Sequence, residues 1–254
     1  MPIMIRTPHH SDPALHNTYW EQTRQPFCCL VFLTPLLVLY EAGVLWLGGR
    51  HPDAIRNGAD HWMRDALARI GLSQELLLPA LVLIGLLVWH LVGRYRWRLS
   101  PDALGGMLAE SLLFAFLLVV VGQLADALSR QMGVELAIAG HQREMATRTL
   151  GFVGAGIYEE VLFRLLMLPA AYGLFRLARL EKGGALLLAA ATTGLLFSLA
   201  HYIGPAGDPF HPFSFAFRAV AGFFFAGLFV LRGFGITVGA HAAYDLLVGM
   251  LLTS

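Results

Sequence analysis

Three hydrophobic stretches in the C-terminal half of the chain contain side chains that could do chemistry. The stretches are GIYEEVLFRLLM, FSLAHYIG and HAAYD, and their polar side chains are Glu159, Glu160, Arg164, His201, His241 and Asp245. A charge at membrane depth is costly, so such residues are expected to be functional or paired. Together they could surround one water molecule or one metal ion.

Helix geometry separates the two adjacent glutamates. Residues four apart share a helix face, so Arg164 can pair with Glu160. Glu159 points about 140° away from Arg164 at 3.6 residues per turn. Glu159 is therefore the unpaired carboxylate and suits a general base that takes a proton from water. The alternative is one buried salt-bridge cluster of all three charges that only holds helices together.

The two histidines and Asp245 add ligands for either a metal or a water molecule. His241 and Asp245 are four residues apart and share a face. With His201 and Glu159 they form a credible ligand set for zinc. Without a metal, Glu159 would activate water while the other side chains hold the water and the developing oxyanion. A single intramembrane histidine is more often a hydrogen bonder between packed helices.

These residues must be positioned by helices, because the chain contains seven hydrophobic blocks of membrane length. Of its 254 residues, 57% are hydrophobic and 14% are charged, which is roughly half the usual charged share. A helix needs about 20 apolar residues to cross the hydrocarbon. The blocks are residues 26–47, 75–93, 104–128, 148–172, 184–203, 213–231 and 235–252. We expect an all-α, polytopic transmembrane helical bundle of about seven to eight spans.

The blocks leave too little sequence for a separate soluble domain. We expect a polar N-terminal tail at 1–25 and a single membrane domain at 26–254, with a catalytic core at about 148–252. Residues 53–71 place apolar side chains at helical spacing among charges, which predicts an amphipathic helix at the membrane interface. An ordinary extramembrane helix is the alternative.

The block boundaries place His201 near one end of its helix and His241 near the opposite membrane face. A common site therefore requires tilted helices or breaks. Breaks are allowed by Gly204 and Pro205 after His201, and by Gly233 and Gly235 before the last block. Basic residues indicate the orientation: two short loops contain Arg94, Arg96, Arg98, Arg176, Arg179 and Lys182. The positive-inside rule makes both loops cytoplasmic, as well as the N-terminus. Four arginines on the opposite side argue against this orientation: Arg50, Arg56, Arg64 and Arg69.

The same three stretches resemble the CPBP family, which comprises CAAX-type prenyl proteases and bacteriocin-processing or abortive-infection proteins. EEVLFR fits a Glu-Glu-x-x-x-Arg motif, FSLAH fits Phe-x-x-x-His, and HAAYD fits His-x-x-x-Asn/Asp. Each motif alone is weak, but three in order within apolar segments are fairly specific. The resemblance covers about residues 148–252.

The resemblance implies an intramembrane endopeptidase. By its motif, Glu159 matches the glutamate that activates water, and Glu160 and Arg164 match the supporting acid and base. The two family histidines correspond to His201 and His241, and Asp245 stands where many members have Asn. Members have been described as metalloproteases and as glutamate proteases. A divalent metal such as zinc, bound by Glu159, His201, His241 and Asp245, is therefore left open.

We expect hydrolysis of a peptide bond in a membrane-associated or lipidated protein or peptide, with membrane lipid as the other partner. One alternative is a non-catalytic scaffold of the same fold that binds a membrane partner. Another is a proton-coupled transporter that uses the same carboxylates and histidines, although no inverted repeat relates the halves.

The net charge of +1 gives no electrostatic field that would bind nucleic acid. The compact chain suggests a bacterial inner membrane, and the oligomeric state is left open.

Overall fold

The computed structural model describes residues 19–131, 145–204 and 207–251, and the regular elements within these ranges are helical. The α-helices are α1 (Tyr19–Gln22), α2 (Pro26–Gly48), α3 (Gly58–Arg69), α4 (Leu77–Val92), α5 (Pro101–Gln131), α6 (Met145–Glu160), α7 (Leu168–Leu177), α8 (Lys182–Ala200), α9 (Pro212–Arg232) and α10 (Phe234–Leu251). A 3₁₀ turn (Pro52–Ala54) precedes α3, and a π-helix (Val161–Met167) joins α6 to α7. The prediction of an all-α helical membrane bundle is confirmed. Of the predicted tail, residues 1–18 lie outside the described residues.

Four of the seven predicted blocks form helices that are long and apolar enough to cross a membrane. These helices are Pro26–Gly48, Pro101–Ala127, Lys182–Ala200 and Pro212–Arg232. The other three blocks are helical as well. Residues 75–93 contain the 16-residue α4, residues 148–172 run through α6, the π-helix and the start of α7, and residues 235–251 lie in α10.

Helices from both ends of the sequence share one hydrophobic core. Leu33 and Tyr40 of α2, Val82 of α4, Ile157 of α6 and Val238 of α10 are all buried in it. The first half of α10 is buried among α2, α5, α6 and α9. Its position at the centre of the bundle brings the α10 side chains against the end of α6.

Glycines let the functional helices approach one another closely. A Cβ atom on Gly156 would lie 2.6 Å from the Ala242 backbone nitrogen, so α6 and α10 touch backbone to backbone. Gly194 of α8 meets Gly222 of α9 in the same way. Small residues commonly permit such contacts between membrane helices.

Two chain breaks occur at glycines in the left-handed region of φ. Gly204, with φ +98°, follows α8, and Gly233, with φ +92°, separates α9 from α10. Glycine adopts these angles without the Cβ clash that other residues meet. The breaks and close contacts bring the end of α8 and the first half of α10 to one place, although the block boundaries assign His201 and His241 to opposite faces.

The predicted helix between the first two blocks is present as α3. Asn57 caps its N-terminus by accepting a hydrogen bond from the Asp60 backbone at 2.7 Å. Ala59 and Met63 are buried against the core, while Ile70 is exposed. The inward face of α3 is therefore fixed to the bundle.

Candidate active site

Glu160 and Arg164 form a buried ion pair at the start of the π-helix. The Arg164 Nε lies 3.0 Å from the Glu160 Oε2, and both side chains are buried. Arg164 also donates through Nη2 to the Gly222 carbonyl of α9 at 3.1 Å. The arginine thus links the α6 end to α9, and the pairing expected from the four-residue spacing is present.

The second oxygen of Glu160 holds His241. The His241 Nδ1 lies 2.7 Å from the Glu160 Oε1. This contact directs the other ring nitrogen toward Glu159, with the Nε2 3.9 Å from the Glu159 Oε2. Glu160 therefore bridges Arg164 and His241, and it fixes the histidine ring rather than facing the centre of the site.

His201 approaches Glu159 from the C-terminal end of α8. Its Nδ1 lies 2.8 Å from the Phe197 carbonyl. Since a carbonyl oxygen can only accept, the Nδ1 carries the proton in this contact. The His201 Nε2 then points to the Glu159 Oε2 at 4.0 Å.

Asp245 completes the group from the next turn of α10. Its Oδ2 lies 3.6 Å from the His241 Nε2. The structure thus brings together all the residues selected from the sequence: Glu159, Glu160, Arg164, His201, His241 and Asp245. Glu159 and Asp245 remain partly accessible, with side chains 15% and 23% exposed.

Two aromatic rings enclose the polar group. Phe225 of α9 stacks on His241, with ring centroids 4.6 Å apart, and Phe197 meets the same imidazole edge-on at 5.7 Å. The Arg164 Cζ lies 4.8 Å from the Phe197 ring centre and 5.6 Å from that of Phe225. Nothing in the sequence separates Phe225 from the other phenylalanines of its block, so its place in the site emerges only from the packing.

Glu159 faces nitrogen atoms without bonding to them. Its Oε2 is buried and has no hydrogen-bond partner in the described part of the chain. The two Nε2 atoms lie beyond direct hydrogen-bonding distance; each accepts when its imidazole is neutral and donates when it is protonated. A water molecule between the Glu159 carboxylate and the imidazoles could bridge them by hydrogen bonds. The arrangement is therefore suited to binding and activating a water molecule.

The same atoms do not form a metal site as they stand. Within the described residues, no group of three or more His, Cys, Asp and Glu side chains is arranged to hold a metal ion. Ligand atoms at a zinc ion lie about 2.1 Å from it, hence about 3.4 Å from one another in a tetrahedron. The Glu159 contacts at 3.9 Å and 4.0 Å are wider than this. Use of a metal stays a prediction, and we derive no step through one.

A second charged group lies beside the site, at the N-terminus of α3. Arg56 pairs with Asp60 at 2.9 Å and with Glu41 at 3.3 Å. Tyr158, which precedes Glu159, donates a hydrogen bond to Glu41. The spacing of residues 56, 60 and 64, together with the lone Glu41 in an apolar block, is a signal that could have predicted this cluster.

Glu159 and His201 line a cavity of about 460 Å³. Phe163 and residues of the segment 53–62 also line this cavity. A substrate can therefore reach the Glu159 carboxylate from outside the bundle.

The comparisons with known proteins agree with the geometry. Residues 142–247 match the sequence model of the family described as type II CAAX prenyl endopeptidase Rce1-like, and this range contains all six site residues. No curated protein and no solved structure is significantly similar to the chain. The resemblance to the CPBP family is confirmed. Residues 142–247 of this integral membrane protein are thus similar to the Rce1-like, CAAX-type endopeptidases of the CPBP family.

Proposed function

We propose that the protein hydrolyses a peptide bond in a membrane-associated or lipidated protein or peptide, using water activated by Glu159. The observation that carries the proposal is the convergence of His201 and His241 on the buried Glu159 Oε2. That oxygen has no hydrogen-bond partner among the described residues, and its side chain borders an accessible cavity. A carboxylate placed in this way can hold a water molecule and accept its proton.

The reaction follows from these positions. A water molecule bound between Glu159, His201 and His241 attacks the scissile carbonyl carbon and gives a proton to Glu159. The protonated His241 donates through Nε2 to the oxyanion of the tetrahedral intermediate. When the carbon–nitrogen bond breaks, Glu159 returns its proton to the leaving amine.

The remaining residues position the reacting groups. Glu160 holds the His241 Nδ1 at 2.7 Å, which keeps Nε2 directed at the water. Arg164 neutralises Glu160 inside the bundle. Asp245 lies 3.6 Å from the His241 Nε2 and orients the ring and the water. Lipid and a membrane-associated substrate are the partners that this activity requires, and a bacterial inner membrane is the proposed setting.

Glu159→Gln is the direct test of this function. The amide cannot accept the proton of water, so we expect cleavage to fall by at least about 10²-fold while the protein stays folded. Purified protein would be incubated with prenylated CAAX peptides, leader peptides and C-terminal membrane tails, and products detected by mass spectrometry. Glu181→Gln, at an exposed position before α8, is the matched control and should cleave normally.

Two results would change the proposal. Full cleavage by Glu159→Gln would overturn the role of Glu159 and favour a different reacting group. Loss of wild-type cleavage on adding a chelator such as phenanthroline, with recovery on adding zinc, would replace the metal-free route with a metal-dependent one.

A further inference from the structure

The catalytic cavity has one wall that the family match does not include. Within residues 142–247 the lining includes Glu159, Phe163 and His201, and the segment 53–62 contributes the wall outside this range. This segment comprises the 3₁₀ turn, the N-cap of α3 and the first turns of that helix. Part of the sequence that lines the cavity therefore comes from the N-terminal half of the chain.

This wall is held in place by ion pairs. The Arg56 side chain is fully buried and pairs with Asp60, Glu41 and Glu75, the last at 2.8 Å. Burial opposes the charge of this guanidinium, but the carboxylates of Asp60 and Glu41 outweigh it and raise the pKa of Arg56 above its ordinary value. Arg56 thus stays charged at every accessible pH. These ion pairs attach the segment to the bundle.

The rim of the cavity carries exposed polar side chains. Side chains at its rim are well exposed, 65% for Asp53, 50% for His61 and 43% for Asp208. The α3 helix has 12 residues, or roughly 18 Å, which is too short to cross about 30 Å of hydrocarbon. Polar rim groups such as these can hydrogen-bond a polypeptide backbone. A hydrocarbon chain would instead displace their water without offering hydrogen bonds in exchange.

We propose that the segment 53–62 is the specificity-determining wall of this protease and contacts the polypeptide part of the substrate beside the scissile bond. The substrate class is a polypeptide segment that enters from the aqueous side. A cavity of about 460 Å³ falls within the range of roughly 300–1,000 Å³ that holds small ligands, so it accommodates a short stretch of chain. This inference rests on the proposed function.

Gly58 is the position at which to test the wall. It is exposed, begins α3, borders the cavity, and has open space where a Cβ would be. Gly58→Cys can therefore be labelled in the folded protein, and the native Cys28 and Cys29 are buried. Gly183→Cys is the matched control, since Gly183 is also exposed with open space. It lies near the start of α8, roughly 27 Å along that helix from His201.

Cleavage of the best peptide substrate would be compared before and after attachment of a small methylthio group or a bulky maleimide. We expect the bulky group at Gly58→Cys to lower kcat/KM at least about tenfold more than the small group does. Both groups at Gly183→Cys should leave cleavage unchanged. Equal cleavage by the bulky-labelled and unlabelled Gly58→Cys proteins would overturn the inference and indicate entry from the lipid.

If the segment 53–62 sets specificity, changing it should affect some substrates more than others. A group that only blocks the cavity should affect all substrates equally. Gly58→Trp should lower kcat/KM about tenfold more for a peptide with a bulky residue beside the scissile bond than for one with a small residue. An equal loss for both peptides would contradict a contact at that position. Gly183→Trp, at an exposed position that does not border the cavity, should leave kcat/KM for both peptides unchanged.

A binding measurement separates this inference from the proposed function. In the Glu159→Gln background, a fluorescent form of the same peptide would be titrated into proteins labelled at position 58 or 183. The bulky group should raise Kd at least about tenfold at position 58 alone. This result would support the wall even if the wild type cleaved nothing, and unchanged Kd at both positions would refute it.

Discussion

Glu159 and Glu160 are adjacent in sequence, but their surroundings give them different tasks. Both oxygens of Glu160 are engaged, one by Arg164 and one by His241, and its side chain is fully buried. Glu159 instead borders the cavity, and its Oε2 lacks a hydrogen-bond partner in the chain as described. The first carboxylate holds structure in place, and the second is available to substrate and water.

This difference predicts that the two glutamates affect stability unequally. Glu160→Ala would leave the Arg164 charge buried without its partner, which costs about 3–5 kcal/mol. The variant should therefore unfold well below the wild-type temperature in detergent and lose activity. Glu159→Gln should unfold close to the wild-type temperature. Equal thermal shifts of the two variants would contradict the division of roles.

At this scale the sequence predicts contacts within a helix but not between helices. The pairing of Glu160 with Arg164 follows from a spacing of four residues. The contact of Glu160 with His241 joins side chains 81 positions apart and depends on how α6 meets α10. The stacking of Phe225 on His241 has the same origin, because packing alone decides which phenylalanine of α9 faces inward.

Among the elements, the contact between α6 and α10 sets the site geometry. Gly156 lies three residues before Glu159, and Ala242 follows His241, so the two backbones meet directly beside the reacting groups. The contact leaves no space for a side chain at position 156.

Gly156→Ala should therefore impair catalysis. The added methyl group would lie 2.6 Å from the Ala242 nitrogen and 2.8 Å from its Cα. Forcing the helices apart costs typically about 1–3 kcal/mol and moves His241 away from Glu159, so we expect kcat to fall about tenfold or more. Gly151→Ala is the control on the same helix, because a Cβ there meets open space. Equal kcat for the two variants would refute the role of this contact.

The elements themselves are largely predictable from the sequence, and their junctions are not. Hydrophobic blocks of membrane length identify the helical segments, because a bilayer requires about 20 apolar residues in a row. The conversion of 161–167 to a π-helix has no signal in the apolar run VLFRLLM. The close approaches at Gly156 and Gly194 depend on partner helices whose positions are set by tertiary packing.

Across the whole molecule, the cavity brings together two segments that are far apart in the sequence. The segment 53–62 and the turn after α8 line the same cavity, which agrees with strict alternation of the seven predicted blocks. Arg56 and Arg64 on this side are engaged in ion pairs. The basic residues of the two opposite loops are exposed; they are Arg94, Arg96, Arg98, Arg176, Arg179 and Lys182. Exposed cations are attracted to the anionic cytoplasmic leaflet.

We therefore expect the catalytic cavity to open on the face away from the cytoplasm. A membrane-impermeant maleimide should label Gly58→Cys in intact cells, and it should label Gly183→Cys only after permeabilisation. The reverse pattern would show the opposite orientation, with the cavity toward the cytoplasm. Labelling of both positions in intact cells would contradict the assignment of the two ends of α8 to opposite sides.

The π-helix makes the site sensitive to the number of residues in the chain. The Leu168 amide bonds to the Phe163 carbonyl, five residues back, where an α-helix would bond four residues back. Deleting one residue from 161–167 would let this segment close as an ordinary α-helix, but it would change the register of Arg164 relative to Glu160 or to α7. Substitution of the exposed Leu166 by another apolar residue changes no such register. In this stretch, length is therefore a stronger constraint on homologous or engineered sequences than the identity of the lipid-facing side chains.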